Sequence, residues 1–320
     1  MTSNNIKHIA KVLSLIILIC YLTDKIIFVT FNKLSDKVFT GQTIGKLNQY
    51  LKIKETKKIL IFGSSRANHN INPQVLDSSS FNMGMDGRNI AYVSTLVKMI
   101  QNKNPQTFLI QIDPEQVFSE KYKGDDIEAL GVMYHRNKTI KEEIDKLKLN
   151  NPFQKFFWCI AYNNKIFGII ANYLKPKYEY KTYNGYDPID VDENQKITFS
   201  KILSQNKIVN CQDSLSINKT YFNYLLELNK FAKNGNKKLI FFTSPIYSDN
   251  CKSDNQKLML LAKELKIDYI DFTDIFKRNN SKNYWKDETH LNRIGAEKFT
   301  NILREQINTK AQHPIGNIGG

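Results

Sequence analysis

The sequence predicts an α/β fold with a parallel sheet covered on both faces, preceded by a transmembrane helix. Short apolar runs such as residues 59–62 and 238–243 end at glycine or serine, as buried strands do. They alternate with segments whose apolar residues recur at helical spacing. Strands that alternate with helices form parallel sheets covered on both faces. Near the N-terminus, residues 9–31 are nearly all apolar.

The first element of the chain is this apolar run, which is interrupted only by Lys11 and by the pair Asp24–Lys25. About 20 apolar residues span a bilayer, and Lys25 can extend its stem toward the outer interface. We expect residues 1–31 to be an uncleaved anchor. A cleaved signal peptide and a buried core helix are the alternatives, although the residues after the apolar core do not suit a cleavage site. The N-terminal lysines favour a chain whose bulk lies outside the cytoplasm.

The remaining chain is expected to follow one order of segments. Residues 32–56 form a helical stalk and linker, residues 57–118 and 219–310 the α/β domain, residues 119–218 a mainly helical insertion, and residues 311–320 a disordered tail. Within the α/β domain, strands are predicted at 59–62, 81–83, 107–112, 238–243 and 268–272, and helices at 90–102, 221–233, 256–265 and 291–307. The insertion carries an apolar patch at 156–162 and 166–174, which predicts a lid over a site or, alternatively, a second membrane-contacting element.

Composition limits the classes of partner. The chain has 320 residues, 41% hydrophobic, which is typical of a folded protein. Its formal net charge is +15, but only six of its 46 basic residues are arginine, the residue that nucleic-acid readers favour. With no nucleic-acid-binding motif, we expect no nucleic-acid partner. A basic surface near an anionic membrane or an acidic glycan remains open.

The four cysteines show no metal-binding spacing. A disulfide between Cys211 and Cys251 is conceivable in an oxidising compartment, but the sequence alone does not establish it.

The first candidate for chemistry is the turn Gly63–Ser64–Ser65, where the first strand ends and a helix begins. Glycine permits a sharp turn, and Ser65 can cap the helix, whose first N–H groups are free to bind an anion. A hydroxyl on such a turn is a candidate nucleophile. The alternative is a capped turn without chemistry, and Ser64 is a second candidate nucleophile if the turn is tighter.

The second candidate is the pair Asp287 and His290, three residues apart just before a helix. Side chains at i and i+3 are neighbours on a helical turn. The carboxylate can therefore hold the imidazole Nδ1–H and leave Nε2 free as a base. Such a pair is common by chance, but together with the serine turn it forms a candidate triad at the carboxyl edge of the sheet.

These motifs resemble those of the SGNH (GDSL-like) hydrolase superfamily of esterases and acyltransferases, a resemblance that implies a flavodoxin-like, three-layer parallel sheet. The first block of that family, G-D-S, reads here as Gly63–Ser64–Ser65, and the second, N-x-x-x-x-G, begins at Asn82 and ends at Gly87. The last block, D-x-x-H-L, reads as Asp287 to Leu291. The anchor, the GSSR form of the first block and the long insertion are similar to membrane-anchored members in bacterial cell-envelope loci.

The resemblance implies a role for each matching residue. Ser65 would be the nucleophile, His290 the general base and Asp287 its orienting carboxylate, with the backbone N–H groups of Ser65 and Gly87 as oxyanion donors. No metal and no organic cofactor is implied. The implied protein is a serine esterase or O-acyltransferase at the bacterial inner (cytoplasmic) membrane, with an extracytoplasmic (periplasmic) catalytic domain. Its substrates would be acyl esters, acetyl above all, of envelope glycans, and a membrane-embedded acyl donor is a further candidate partner.

One departure from the family pattern motivates an alternative function. The third block should supply an oxyanion-hole asparagine after strand three, but residues 112–116 read Ile-Asp-Pro-Glu-Gln. Gln116 and Asn89 are the candidates to replace it. Losing one such donor costs about 10²–10³ in rate. The alternative is therefore a catalytically degenerate envelope assembly or carbohydrate-binding protein with the same fold.

Three other residues or pairs were considered as ligands or bases. Arg66 is a candidate for holding a substrate carboxylate or for pairing with Asp86. His69 follows Ser65 by four residues, but no carboxylate is evident in the sequence to orient it, so we expect a surface or loop position. The pair His135–Arg136 could hold an anionic substrate, but a solvated position in the insertion is expected instead.

Overall fold

The computed structural model describes residues 3–149, 152–205, 211, 215–249, 251–279 and 281–312. The chain divides into two compact units: Met1–Asn48 with Ile127–Glu179, and Gln49–Asp126 with Tyr180–Gly320. This division differs from the predicted one. Most of the expected insertion joins the N-terminal helix in one unit, whereas the chain from residue 180 onward belongs to the α/β unit.

A five-stranded sheet forms the centre of the α/β unit. Its strands are β1 (Ile59–Phe62), β2 (Ser80–Asn82), β3 (Gln106–Gln111), β4 (Lys237–Thr243) and β5 (Asp268–Asp271). All neighbouring strands are parallel, in the order β2-β1-β3-β4-β5, which is the strand order of flavodoxin-like sheets. The predicted α/β class and parallel sheet are confirmed, and every strand lies within one residue of its predicted bounds.

The helices of the described chain were predicted less completely. They are α1 (Ser3–Ser35), α2 (Lys46–Ile53), α3 (Ser65–Asn70), α4 (Pro73–Leu76), α5 (Ile90–Lys98), α6 (Pro114–Val117), α7 (Lys138–Lys146), α8 (Pro152–Phe156), α9 (Ile166–Leu174), α10 (Glu193–Leu203), α11 (Lys219–Asn234), α12 (Lys252–Glu264) and α13 (Arg293–Gln312). Because α13 continues to Gln312, the first two residues of the expected tail are helical. The rest of that tail, 313–320, lies outside the described residues.

Successive side chains of a strand point to opposite faces of the sheet, and both faces pack against helices. On one face, Ile61 and Leu109 share a buried cluster with Ala67 of α3 and Phe299 of α13. On the other face, the ring of Phe62 lies 6.0 Å from that of Phe108 and 5.9 Å from that of Tyr50 in α2, measured between centroids.

Helix α2 therefore belongs to the core, although the sequence assigned it to a stalk. Tyr50 is fully buried, and its hydroxyl donates to the carbonyl oxygen of Leu96 at 2.8 Å. The polar residues between its apolar positions concealed this role. The apolar side chains of Leu47 and Tyr50 recur at helical spacing, but over too short a segment to stand out from a linker.

The other unit contains α1, which is long and apolar enough to cross a membrane and is mostly exposed along its apolar window. The expected anchor is thus compatible with the structure, and the helix continues past residue 31 to Ser35. The apolar patch of residues 156–174 packs on this helix: the ring of Tyr162 lies 5.8 Å from that of Phe28 and 5.6 Å from that of Phe31. Part of this patch therefore packs on α1, and its role as a lid stays a prediction.

The conceivable disulfide is present. Cys211 and Cys251 are bonded, with their Cα atoms 5.4 Å apart. The other two cysteines, Cys20 and Cys159, are free.

Candidate active site

The turn after β1 places two serines at the carboxyl edge of the sheet. Gly63 has a φ of +144°, and a Cβ at this position would lie 2.7 Å from the Cβ of Gln111, so only glycine fits without displacing a neighbour. Ser64 is the N-cap of α3, and its hydroxyl accepts from the N–H of Arg66 at 3.3 Å. Ser65 is therefore the first residue of the helix, with its side chain at the turn.

The three residues predicted as a triad are in contact. The Oγ of Ser65 lies 2.8 Å from the Nε2 of His290, and the Nδ1 of His290 lies 2.9 Å from both carboxylate oxygens of Asp287. An ionised carboxylate only accepts hydrogen bonds, so Nδ1 carries the imidazole proton. Nε2 is then left to accept the hydrogen of Ser65, the arrangement required of a general base.

The electrostatics keep Asp287 ionised. Partial burial acts to raise the pKa of this carboxyl, but the hydrogen bond and charge of His290 oppose it, together with the N–H groups of Thr289 and His290. The pKa of Asp287 therefore lies well below its usual range. An ionised Asp287 at all physiological pH values fixes the tautomer of the imidazole.

The loop that carries His290 is held by a residue that the sequence analysis did not single out. Asn70, at the end of α3, donates to the carbonyl oxygen of Thr289 at 3.1 Å and accepts from the N–H of Leu291 at 2.9 Å. Asn70 is fully buried. Since Ser65 begins the helix that Asn70 ends, these two bonds connect the His290 loop to the helix that carries Ser65. The partner of Asn70 lies over 200 residues away, so no local pattern could reveal it.

The two backbone donors proposed for an oxyanion hole are available. Within the described chain, the N–H groups of Ser65 and Gly87 have no hydrogen-bond acceptor. Gly87 has a φ of +66°, a left-handed conformation that favours glycine. Asn82, which opens the same motif, has a structural role: its amide donates to the carbonyls of Ala67 and Ile71 at 2.8 Å each.

The side-chain candidates for the missing donor contact each other. The amide nitrogen of Asn89 donates to the Oε1 of Gln116 at 3.3 Å, and the Oδ1 of Asn89 accepts from the N–H of Ile90. The amide nitrogen of Gln116 has no acceptor among the described residues. Of the two candidates, Gln116 thus keeps a free donor.

A network behind Ser64 contains the candidate ligand Arg66. The guanidinium of Arg66 forms an ion pair with Asp113 and donates to the carbonyl oxygen of Ser244, and Arg66 is largely buried. Gln111 accepts from the hydroxyl of Ser64 at 2.8 Å and donates to Asp113 at 2.8 Å. The predicted pairing of Arg66 with Asp86 is wrong, because Asp113 at the end of β3 neutralises it instead.

The same network argues against Ser64 as the nucleophile. Its hydroxyl lies 2.8 Å from the Oε1 of Gln111 and 3.2 Å from the Oδ2 of Asp113, so its hydrogen is directed toward these acceptors. The imidazole contacts Ser65.

A second histidine lies beside the base. The rings of His69 and His290 are 5.8 Å apart between centroids. The Nδ1 of His69 faces the carbonyl oxygen of Asp187 at 2.6 Å, and its Nε2 faces the carboxylate of Asp86 at 3.1 Å. The expectation of a surface histidine without a carboxylate is therefore wrong. Asp86 follows β2 and reaches the same sheet edge as α3, a proximity that depends on strand order.

His135 and Arg136 belong to the other unit. The Nη2 of Arg136 donates to both carboxylate oxygens of Asp36 at 2.6 and 2.7 Å, and the ring of His135 stacks on that of Trp158 at 4.5 Å. Both side chains are therefore engaged by their own unit.

The arrangement at the sheet edge can activate a serine hydroxyl, orient its base and offer backbone donors to a developing oxyanion. Among the described residues, no group of three or more His, Cys, Asp or Glu side chains could hold a metal ion. No known family model matches this chain, and no curated protein matches it either.

Proposed function

We propose that this protein is a serine esterase or O-acyltransferase that works through an acyl-Ser65 intermediate. The observation that carries the proposal is the 2.8 Å contact between the Oγ of Ser65 and the Nε2 of His290, with Asp287 on the opposite ring nitrogen. A nucleophile, its base and an orienting carboxylate in that order are the functional core of serine hydrolases.

The reaction has two half-reactions. In the first, Nε2 of His290 takes the proton of Ser65 while Oγ attacks the acyl carbonyl, and the N–H groups of Ser65 and Gly87 stabilise the oxyanion. The ester C–O bond breaks, and His290 returns the proton to the departing alcohol. In the second, His290 takes a proton from water or a sugar hydroxyl as its oxygen attacks the acyl-serine. The bond between the acyl carbon and Oγ breaks, and His290 returns the proton to Oγ of Ser65.

We place the chain in the SGNH (GDSL-like) superfamily. The serine turn after β1, the glycine-containing turn after β2 and the Asp287–His290 pair before the last helix support this membership. The strand order of the sheet is compatible with it.

The proposed location is the bacterial cytoplasmic membrane, with the α/β unit on the extracytoplasmic side. Helix α1 supports an anchor, and the disulfide between Cys211 and Cys251 supports an oxidising compartment. Acetyl and other acyl esters of envelope glycans are the proposed substrates, by resemblance to anchored SGNH proteins.

Labelling with a fluorophosphonate probe tests the catalytic proposal, because the probe reacts with a base-activated serine. The full chain should be labelled, and the Ser65→Ala and His290→Ala variants should not. Ser64→Ala is the matched control: it removes a hydroxyl one residue away and should keep its label. Labelling that disappears in S64A and persists in S65A would contradict the assignment of the nucleophile.

Hydrolysis and transfer are distinguished by a second assay. The full chain is incubated with p-nitrophenyl acetate, with and without an oligosaccharide acceptor. Acetylated oligosaccharide at the expense of free acetate indicates a transferase, and acetate alone indicates an esterase. S65A should form neither product.

A non-catalytic glycan-binding protein is the second candidate. It is favoured by the engagement of Asn89 and by the position of Gln111, whose amide nitrogen is directed to Asp113. A folded chain that binds envelope glycan but takes no fluorophosphonate label would support this candidate over the enzyme.

A further inference from the structure

The helix α1 contains an acidic residue whose charge is satisfied from a distant part of the chain. The carboxylate of Asp24 accepts from the backbone N–H groups of Trp158 and Cys159 at 2.8 and 2.9 Å, and from the ammonium of Lys25 at 2.9 Å. An unpaired carboxylate in hydrocarbon is costly. These three donors offset that cost. The two backbone N–H groups among them attach the segment after α8 to α1.

An aromatic cluster surrounds the same point. The Nζ of Lys25 lies 4.4 Å from the ring centroid of Tyr21 and 4.2 Å from that of Trp158. The ring of Phe156 lies 4.9 Å from that of Tyr21, and its carbonyl oxygen accepts from Lys25 at 2.5 Å. Tryptophan, tyrosine and lysine together are typical of the boundary between hydrocarbon and headgroups.

The position of this cluster along α1 fits such a boundary. The exposed large apolar side chains of the helix begin at Ile6 and continue to Val29, four residues past Lys25. The stretch of α1 from Ile6 to Lys25 is about 30 Å long at 1.5 Å per residue. This length equals the thickness of a typical hydrocarbon core, about 30 Å. The cluster therefore lies one bilayer thickness from the start of the apolar surface.

The segment attached here exposes large apolar side chains of its own. Phe153 is 67% exposed, Phe167 87% and Leu174 74%. Exposed lysines flank them, including Lys155 and Lys175. Apolar side chains so exposed mark an interaction surface, and lysines at its edges suit anionic headgroups.

We propose that residues 152–174, from α8 through the 3₁₀ segment Trp158–Tyr162 to α9, are a second membrane element. This element lies in the interface of the leaflet at the Lys25 end of α1, with its apolar side chains in lipid. The occupant is lipid rather than a second copy of the chain, because the surface is attached to α1 at the level of an interfacial aromatic cluster and carries flanking lysines. The inference rests on α1 spanning the bilayer.

Depth-dependent quenching by brominated lipids tests this inference, because the chain has only two tryptophans. Trp158 lies in the proposed element, and Trp285 is 1% exposed in the core of the α/β unit. The full chain and its Trp158→Phe variant are reconstituted into phosphatidylcholine vesicles with bromine at shallow or deep acyl positions. The difference in emission between the two proteins reports Trp158, and W158F reports Trp285 as the matched control.

We expect the Trp158 emission to be lost in brominated vesicles, more with shallow than with deep bromine, while the emission of W158F is unchanged. No loss at any depth would overturn the proposal, as would failure of the full chain to stay with the vesicles. If bromine does not quench Trp158 and chemical cross-linking gives dimers, a second copy of the chain covers the surface instead of lipid.

A photoreactive diazirine that partitions into lipid gives a second readout that does not depend on tryptophan emission. Adducts on residues 152–174 as well as on α1 support the proposal. Adducts confined to α1 overturn it.

Discussion

Asn70 offers the sharpest test of how the two distant parts of the candidate site are brought together. The Asn70→Ala substitution removes the side-chain amide that joins the end of α3 to the residues on either side of His290. No triad side chain is altered. Any change in the reactivity of Ser65 must therefore come from the position of the base.

The expected cost follows from the two lost bonds. The carbonyl of Thr289 and the N–H of Leu291 would lose their partner at a buried position. Each buried group left unsatisfied costs about 1–3 kcal/mol, so we expect the free energy of unfolding to fall by about 2–6 kcal/mol. A displacement of His290 by about 1 Å would slow the chemistry by about 10²-fold.

The stability is measured by urea titration in detergent of the full chain carrying Trp158→Phe, so that the emission reports Trp285, and the reactivity by the rate of fluorophosphonate labelling. Asn72→Ala is the matched control. Its side chain caps α4 by accepting from the N–H of Gln74 and does not contact the His290 loop. We expect N72A to lose about 1 kcal/mol and to keep its labelling rate. An N70A protein that labels as fast as wild type would refute the reasoning.

Three further predictions concern charge and covalent links. Asp287→Asn should reduce labelling by about 10⁴-fold because the imidazole loses its tautomer control. Because the pKa of Asp287 is lower in the folded than in the unfolded chain, its ionised form stabilises the folded state above the unfolded pKa of about 4. This stabilisation is lost as the pH falls further, so the unfolding free energies of wild type and D287N should converge in acid. Cys211→Ala removes the disulfide to Cys251, which closes a loop across a separation of 40 residues. The free energy of unfolding should fall by about 4 kcal/mol because the unfolded chain gains loop entropy, and wild type treated with reductant should lose the same amount. Asp113→Ala leaves the largely buried Arg66 without its counter-ion and should cost about 3 kcal/mol in urea titrations, part of which R66M/D113A should recover.

The three central strands β1, β3 and β4 were predictable because each contains a short apolar run with a turn signal at its end. Ile61 and Phe62 are buried on opposite faces, so β1 reads as continuously apolar from the sequence. The polar helix α2 was not predictable in this way, since polar residues such as Asn48 and Gln49 are buried in it beside Leu47 and Tyr50. The same holds for the segment near Trp158, whose partner Asp24 is 134 residues earlier in the chain.

The residues of the candidate site likewise divide into those that the sequence predicted and those that depend on distant contacts. Ser65, Asp287 and His290 were predictable because each belongs to a short motif with a chemical reason for its spacing. Arg66 shows the limit: both β2 and β3 lie beside β1, and the residue that follows β3, Asp113, supplies the counter-ion rather than Asp86 after β2. His69 is a second example, because only the turn after β2 brings Asp86 to it.

If the proposed SGNH membership holds, the two departures from the family pattern meet in one hydrogen-bond network. Ser64 replaces the aspartate of the first block, yet a carboxylate still reaches its hydroxyl, because Asp113 extends from β3 to within 3.2 Å. The side-chain oxygen of Gln111 accepts from the Ser64 hydroxyl and its amide nitrogen donates to Asp113. Gln111 therefore has no donor to replace that of the family's asparagine.

The end of β3 therefore holds the turn that carries Ser65, which leaves Gln116 as the side-chain candidate for the further oxyanion donor. A missing donor slows ester turnover by about 10²–10³, whereas serine activation by His290 requires only the triad. Fluorophosphonate labelling consequently separates an enzyme with a weak oxyanion hole from a binding protein, and slow ester turnover alone does not.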